Sequence, residues 1–229
     1  MSASPIDDAI LTLQKGLTGI PFEFAYLGGS VLSLLVADPT VDAIRVTKDV
    51  DVMMGIRTRK EFHAADKLLE KAGFRHDTRE GAPICRWTYR GVTVDVLPIR
   101  EDVLGWKSKW FEEALKAAEE KELGGQKIRI VSPPYFVALK LEAFEERGQG
   151  DFLASTDFED VICLFNGRAT LASEIAACES LRSGLAEKFR GYLQSEAMLD
   201  AVEGFVQTEP DPAARKGKIL AAFKAVSDL

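Results

Sequence analysis

Residues 27–52, LGGSVLSLLVADPTVDAIRVTKDVDV, carry the pattern on which the fold turns. A Gly28-Gly29-Ser30 bend opens a short apolar helix over 30–36, and Asp38-Pro39 stops it. A strand then follows over 43–56, AIRVTKDVDVMMGI, carrying Asp49 and Asp51. Side chains two apart on a strand share a face, so these two aspartates stand together while Val50 and Val52 point into a core. Downstream, VTVDVLPI repeats the device, with Asp95 set between alternating valines. Two strands can thus bring three carboxylates to one place.

Outward from this stretch, Ile6, Ile10, Leu13 and Leu17 mark a helix over 6–18, and FEFAYL (22–27) is a strand leading into Gly28. Thr58 and Glu61 form a capping box for a helix that Gly73 closes. FRHDTR, ICRWTYR and VTVDVLPI read as strands, the last two joined as a hairpin at Arg90-Gly91. A helical pattern covers 106–121, and KIRIVS (127–132) is a further strand. From Ser132 the texture becomes helical. One helix runs from Pro133 to Arg147, and a second is capped by Thr156 with Glu159. Others lie near 170–182, 184–194, 196–207 and 212–227. The expectation is an α+β chain: residues 1–131 form a core with a mixed β-sheet flanked by helices, and 132–229 a helical region that completes the active-site cleft.

The bulk composition excludes several classes. At 229 residues and 46% hydrophobic content, the chain suits a soluble domain with a helical appendage, and no apolar run approaches the ~20 residues of a membrane span. The N-terminus lacks the pattern of a secretory signal, and three scattered cysteines fit a reducing cytoplasm. A net charge of −7 argues against a protein that coats nucleic acid over an extended face. With two histidines and no CxxC pair, a zinc site has little to build on.

Two carboxylates about 5 Å apart repel by roughly 3 kcal/mol at an effective dielectric near 20. Protons or a cation must relieve that repulsion, and Mg²⁺ takes carboxylates together with water and phosphates. Alone, the Asp49/Asp51 pair reads first as an acidic patch on a wet edge strand, since short acidic motifs occur often by chance, and a lone Gly-Gly-Ser reads as a plain turn. Their order and spacing favour a site: backbone amides at Gly28, Gly29 and Ser30 can receive an anion, and the Ser30 hydroxyl can add a donor. Lys140 lies on an otherwise mostly apolar stripe with Phe136, Ala143 and Arg147. It needs an anionic partner, and either a triphosphate or the downstream Asp157 and Asp160 would serve. For Arg147 the structural partner is favoured.

Gly28-Gly29-Ser30, Thr47-Lys48-Asp49-Val50-Asp51, Asp95, Lys140-x-x-Ala143-x-x-x-Arg147 and Asp157-x-x-Asp160 together resemble the DNA-polymerase-β-like nucleotidyltransferases, and among these the AbiEii/AbiGii-toxin type. The likeness covers about residues 20–165. It departs from the pattern in VLSLL, which lacks a basic residue after the bend, and at Thr156, where an arginine is common. The resemblance implies transfer of a nucleoside monophosphate from an NTP to a hydroxyl acceptor (an RNA end, a protein or a small molecule), with Mg²⁺ or Mn²⁺. Asp49, Asp51 and Asp95 would hold the metal, and Asp95 would also help activate the acceptor. Gly28, Gly29, Ser30 and Lys140 would bind the nucleotide, supported by Thr47, Arg147, Asp157 and Asp160. It also allows an antitoxin-like protein partner. The rival expectation is a catalytically silent nucleotide-binding or protein-interaction module on the same fold.

Overall fold

The computed structural model describes residues 4–41, 47–105, 108–148 and 150–229. The elements in order are α1 (Pro5–Leu17), β1 (Phe24–Leu27), a 3₁₀ turn (Gly28–Val31), α2 (Leu32–Leu35), β2 (Asp49–Met54), α3 (Arg59–Lys71) and β3 (Arg75–His76). Then come β4 (Arg86–Tyr89), β5 (Val92–Pro98), α4 (Glu101–Leu104), α5 (Phe111–Lys116), β6 (Glu119–Leu123) and β7 (Gln126–Ile130). Helices close the chain: α6 (Pro133–Arg147), α7 (Thr156–Gly167), α8 (Leu171–Ala177), α9 (Glu179–Tyr192), α10 (Glu196–Val206) and α11 (Pro212–Ser227). This is the expected α+β class, a mixed sheet flanked by helices and followed by a helical region. The contacts divide it into two compact units, residues 1–31 with 46–132, and residues 32–45 with 133–229. Among the described residues no helix is long and apolar enough to cross a membrane.

In the first unit the strand order is β3-β4-β5-β2-β1-β7-β6. The β2–β5 and β1–β7 pairs are parallel, and the other neighbours are antiparallel. Pairing sets the faces. Tyr26 lies opposite Val52, Val50 opposite Val94, and Val94 opposite Trp87, giving one row of buried side chains. Helix α1 packs on this side, where the Tyr26 hydroxyl donates to the Ile10 carbonyl at 3.3 Å. A one-residue shift of β2 would turn its valines out and its aspartates into that core, so the register is strongly specified.

Local chemistry explains most boundaries. Ser4 with Asp7 and Thr58 with Glu61 form reciprocal capping boxes at α1 and α3. At the β4–β5 hairpin Arg90 and Gly91 both have positive φ, 48° and 84°, the requirement of a two-residue turn matched to strand twist. Several expectations need correction. The helical pattern over 106–121 yields only α5 within its described part; residues 119–121 belong to β6, which pairs with β7 through a Gly124-Gly125 turn. Cross-strand pairing here overrides the helical preference of Glu and Lys. FRHDTR forms just two residues of strand, because the Asp77 carboxylate accepts from the Arg79 amide and turns the chain. Of the strand expected over 43–56, Asp49–Met54 is observed, while residues 43–46 and Trp106 lie outside the described residues.

In the second unit α6 packs against α7, α8 and α9, and α11 against α7, α8, α9 and α10. Its core is aromatic: Phe165, Phe189 and Phe223 meet with centroids 4.7–5.3 Å apart. Phe144, Phe152, Phe158 and Tyr192 form a second group. Short α2 joins this unit, and the amides of Ala37 and Asp38 after it both donate to the Gly167 carbonyl. The cap of α7 is Ser155, whose Oγ accepts from the Phe158 amide at 3.3 Å, rather than the expected Thr156.

Candidate active site

The aspartates occupy the sheet face opposite α1. In the parallel β2–β5 pair Asp51 lies directly across from Asp95, and on β4 Arg86 lies directly across from Asp95. Pleating keeps paired residues on one side, and Asp49, two residues from Asp51, shares it. The glycine bend adjoins this row, since Leu27 pairs with Asp51. At Gly28 the backbone has φ of 71°, and a β-carbon there would sit 2.1 Å from Asp51 Oδ2. Only glycine accommodates both the left-handed conformation and that approach. The three carboxylates and the bend expected from sequence therefore belong to one neighbourhood of the first unit.

The polar contacts are specific. Arg86 grips Asp95 with two parallel hydrogen bonds, Nε to Oδ1 at 2.8 Å and Nη2 to Oδ2 at 2.7 Å. The same Nη2 reaches Asp49 Oδ2 at 3.0 Å. Thr47 Oγ1 donates toward Asp49, 3.3 Å from its carbonyl and from its Oδ1. Hydrogen bonds to Asp95 raise the Arg86 pKa above its ordinary value, against the opposing effect of partial burial. Burial, and then the charge of Asp95, push the neighbouring Cys85 thiol up to about 12, so it is no nucleophile near neutral pH.

Arg86 is the member of this cluster that sequence reasoning passed over, yet the signal was present. A two-residue turn at Arg90-Gly91 pairs Tyr89 with Val92, and counting back along both strands puts Arg86 against Asp95. Alternation in ICRWTYR separates Arg86 from buried Cys85 and Trp87.

Gly28, Gly29 and Ser30 lie in a 3₁₀ turn that runs to Val31, and of the helix expected over 30–36 only Leu32–Leu35 is α-helical. The Ser30 side chain is buried and its Oγ donates to the Leu27 carbonyl at 2.9 Å, closing the bend on itself.

In the second unit Lys140 is buried on α6. Its ammonium lies 2.9 Å from Asp157 Oδ1 and 2.6 Å from Asp160 Oδ2. Arg147, about two turns further along the same face of α6, adds two bonds to Asp157 at 2.8 and 3.0 Å. Sequence left two partners open for Lys140, and these aspartates are the partners observed. Burial acts to raise the Asp157 pKa, but hydrogen bonds from Arg147 and the charge of Lys140 outweigh it and hold the carboxyl below its ordinary value.

Asp49, Asp51 and Asp95 offer only hard oxygen donors on one face, which is the chemistry Mg²⁺ or Mn²⁺ accepts. The glycine bend leaves no side chain over Asp51 at Gly28. In the conformation observed, no three carboxylate, imidazole or thiolate groups among the described residues are gathered to hold a metal ion. Two of the three aspartates are held by Arg86 instead. The donors fit the metal; the present partner of Asp49 and Asp95 is a guanidinium.

No protein-family model matches the chain, and no curated protein does. Among solved structures it is similar to the crystal structure of an antigenic nucleotidyltransferase-like protein from Paracoccidioides brasiliensis. That match has a TM-score of 0.51 and 20% identity, and covers 95% of this chain and 94% of the other. Two structures of ANT(2'')-Ia are also similar. The complex with adenylyl-2''-tobramycin has a TM-score of 0.46 at 12% identity, covering 70% of this chain and 88% of that one. The solution structure of this antibiotic-resistance factor has a TM-score of 0.44 at 14% identity, covering 76% and 95%. The first of these likenesses gives the architecture: this chain has a nucleotidyltransferase-like fold.

Proposed function

We propose that this protein is a nucleotidyltransferase that moves a nucleoside monophosphate from an NTP to a hydroxyl acceptor. One observation carries the reading: Asp51 and Asp95 face each other across parallel strands while the Gly28 bend closes against the Asp51 carboxylate. Acids in register on adjacent strands beside a glycine turn suit a polyphosphate and its cation. Asp49, Asp51 and Asp95 would hold Mg²⁺ or Mn²⁺. Bound there, the metal would supply positive charge to the phosphates and to the departing pyrophosphate.

The chain's own residues do the rest. Amides of Gly28, Gly29 and Ser30 receive the terminal phosphates, and the Ser30 hydroxyl keeps the bend in shape through Leu27. Thr47 steadies Asp49. The acceptor oxygen forms a bond to the α-phosphorus as the bond to the bridging oxygen breaks, pyrophosphate leaves, and the hydroxyl proton passes to Asp95. Lys140, with Arg147, Asp157 and Asp160, we assign to holding the helical unit together, since its ammonium already has two carboxylate partners. Residues 1–131 would be the catalytic core and 132–229 the helical region. The AbiEii/AbiGii-type likeness rests on the spacing of these motifs, and an antitoxin-like partner draws no support from the similar structures. Three free cysteines suit a cytoplasmic setting.

A second reading, a silent nucleotide-binding module, is favoured by Arg86 holding two of the three acids. The assay that separates them supplies labelled NTPs, Mg²⁺ and cell extract. Transfer of label to an acceptor, abolished by Asp51→Asn, is the expected result. NTP binding without transfer to any acceptor would favour the silent module.

A further inference from the structure

We infer that the Arg86 guanidinium is the resident counter-cation of the three-aspartate face and competes with divalent metal for Asp49 and Asp95, so that Arg86 sets how tightly the site takes up the ion. The inference rests on the reading of these aspartates as metal ligands. Its basis is geometric. Arg86 faces Asp95 because of hairpin register, which no side-chain rotation changes. Its contacts use both Asp95 oxygens and Asp49 Oδ2. A metal ion binds such oxygens at about 2.0–2.1 Å. A guanidinium 2.7–3.0 Å from the same atoms stands in its place.

Arginine is also the cation that cannot step aside by losing a proton. The only way to free the carboxylates is to swing the side chain out, and a quarter of its surface already meets solvent. Without metal, Arg86 relieves the repulsion among the acids. With metal bound, its positive charge opposes the ion. A triphosphate arriving with the metal would offer the released guanidinium a planar, two-pronged partner to replace Asp95.

The test is Mn²⁺ binding to the full chain, read by electron paramagnetic resonance of free Mn²⁺ and by calorimetry, with no nucleotide and no turnover. Arg86→Met should bind Mn²⁺ at least about tenfold more tightly than the wild type, because two like charges no longer share the same oxygens. Its melting temperature should be lower without metal and should rise more on adding Mn²⁺ than that of the wild type. Arg86→Lys keeps the charge and loses the fork, and should bind about threefold more tightly than wild type; it carries the test alone should the methionine variant not fold. Equal or weaker Mn²⁺ binding by the folded Arg86 variants overturns the inference. If Asp51→Asn still abolishes the wild-type binding in that case, the metal site stands without it. Absence of Mn²⁺ binding in every folded variant would remove both.

Discussion

Lys140→Met is the most informative single change outside the aspartate face. The Lys140 side chain is 10% exposed and its two partners, Asp157 and Asp160, are 5% and 0% exposed. Removing one member of a buried ion pair costs about 3–5 kcal/mol, because the remaining charge stays desolvated. Arg147 continues to hold Asp157 by two hydrogen bonds, which places the expected loss at the lower end, about 3 kcal/mol. In a chain of this size each kcal/mol shifts the melting temperature by roughly 2–4 °C, so a fall of about 6–12 °C is expected. Urea unfolding and calorimetry measure it. The double variant Lys140→Met/Asp160→Leu should recover part of the loss, since an apolar pair of similar volume replaces the ionic one at little cost. NTP affinity, measured at a temperature where the variant is folded, should change little. A stability loss below about 1 kcal/mol, typical of an exposed pair, together with collapse of NTP binding, would refute this assignment and give the ammonium to the phosphates.

Three further outcomes follow from the same geometry. Gly28→Ala should abolish transfer and lower stability by about 1–3 kcal/mol, since its β-carbon would lie 2.1 Å from Asp51 Oδ2 on left-handed backbone; wild-type activity in a folded alanine variant would show that the bend is incidental. Asp157 has a lowered folded-state pKa, so its stabilising contribution is complete above its unfolded value of about 4 and is lost as pH falls through the lower, folded value. Melting temperature against pH should therefore drop on the acid side, and the drop should be shallower in Asp157→Asn. Asp51→Asn should remove nucleotidyl transfer while leaving the far-ultraviolet circular dichroism of the fold unchanged, as expected for a half-exposed side chain on an intact strand.

What sequence alone determined follows from local rules. Alternating valines around Asp49, Asp51 and Asp95 assign the faces of β2 and β5, because strand periodicity is a backbone property. Capping boxes at Thr58, the hairpin at Arg90-Gly91 and the helical texture after Ser132 were legible for the same reason. Where local preference and pairing disagreed, pairing won: Glu119–Leu123 became a strand because β7 was there to accept its hydrogen bonds. The cap at Ser155 shifted by one residue from Thr156, a distinction that only the backbone dihedral angles make.

Tertiary structure alone decided the partners of the charges. Lys140 could have met phosphate or carboxylate, and only the packing of α6 on α7 brings Asp157 and Asp160 within 3 Å of its ammonium. Arg86 belongs to a strand that shares no hydrogen bonds with β2, yet its guanidinium spans β5 to reach Asp49. Periodicity tells which side of a sheet a residue takes. Which cation ends up between two acids depends on strand order and side-chain reach, and neither is written in any single stretch of the chain.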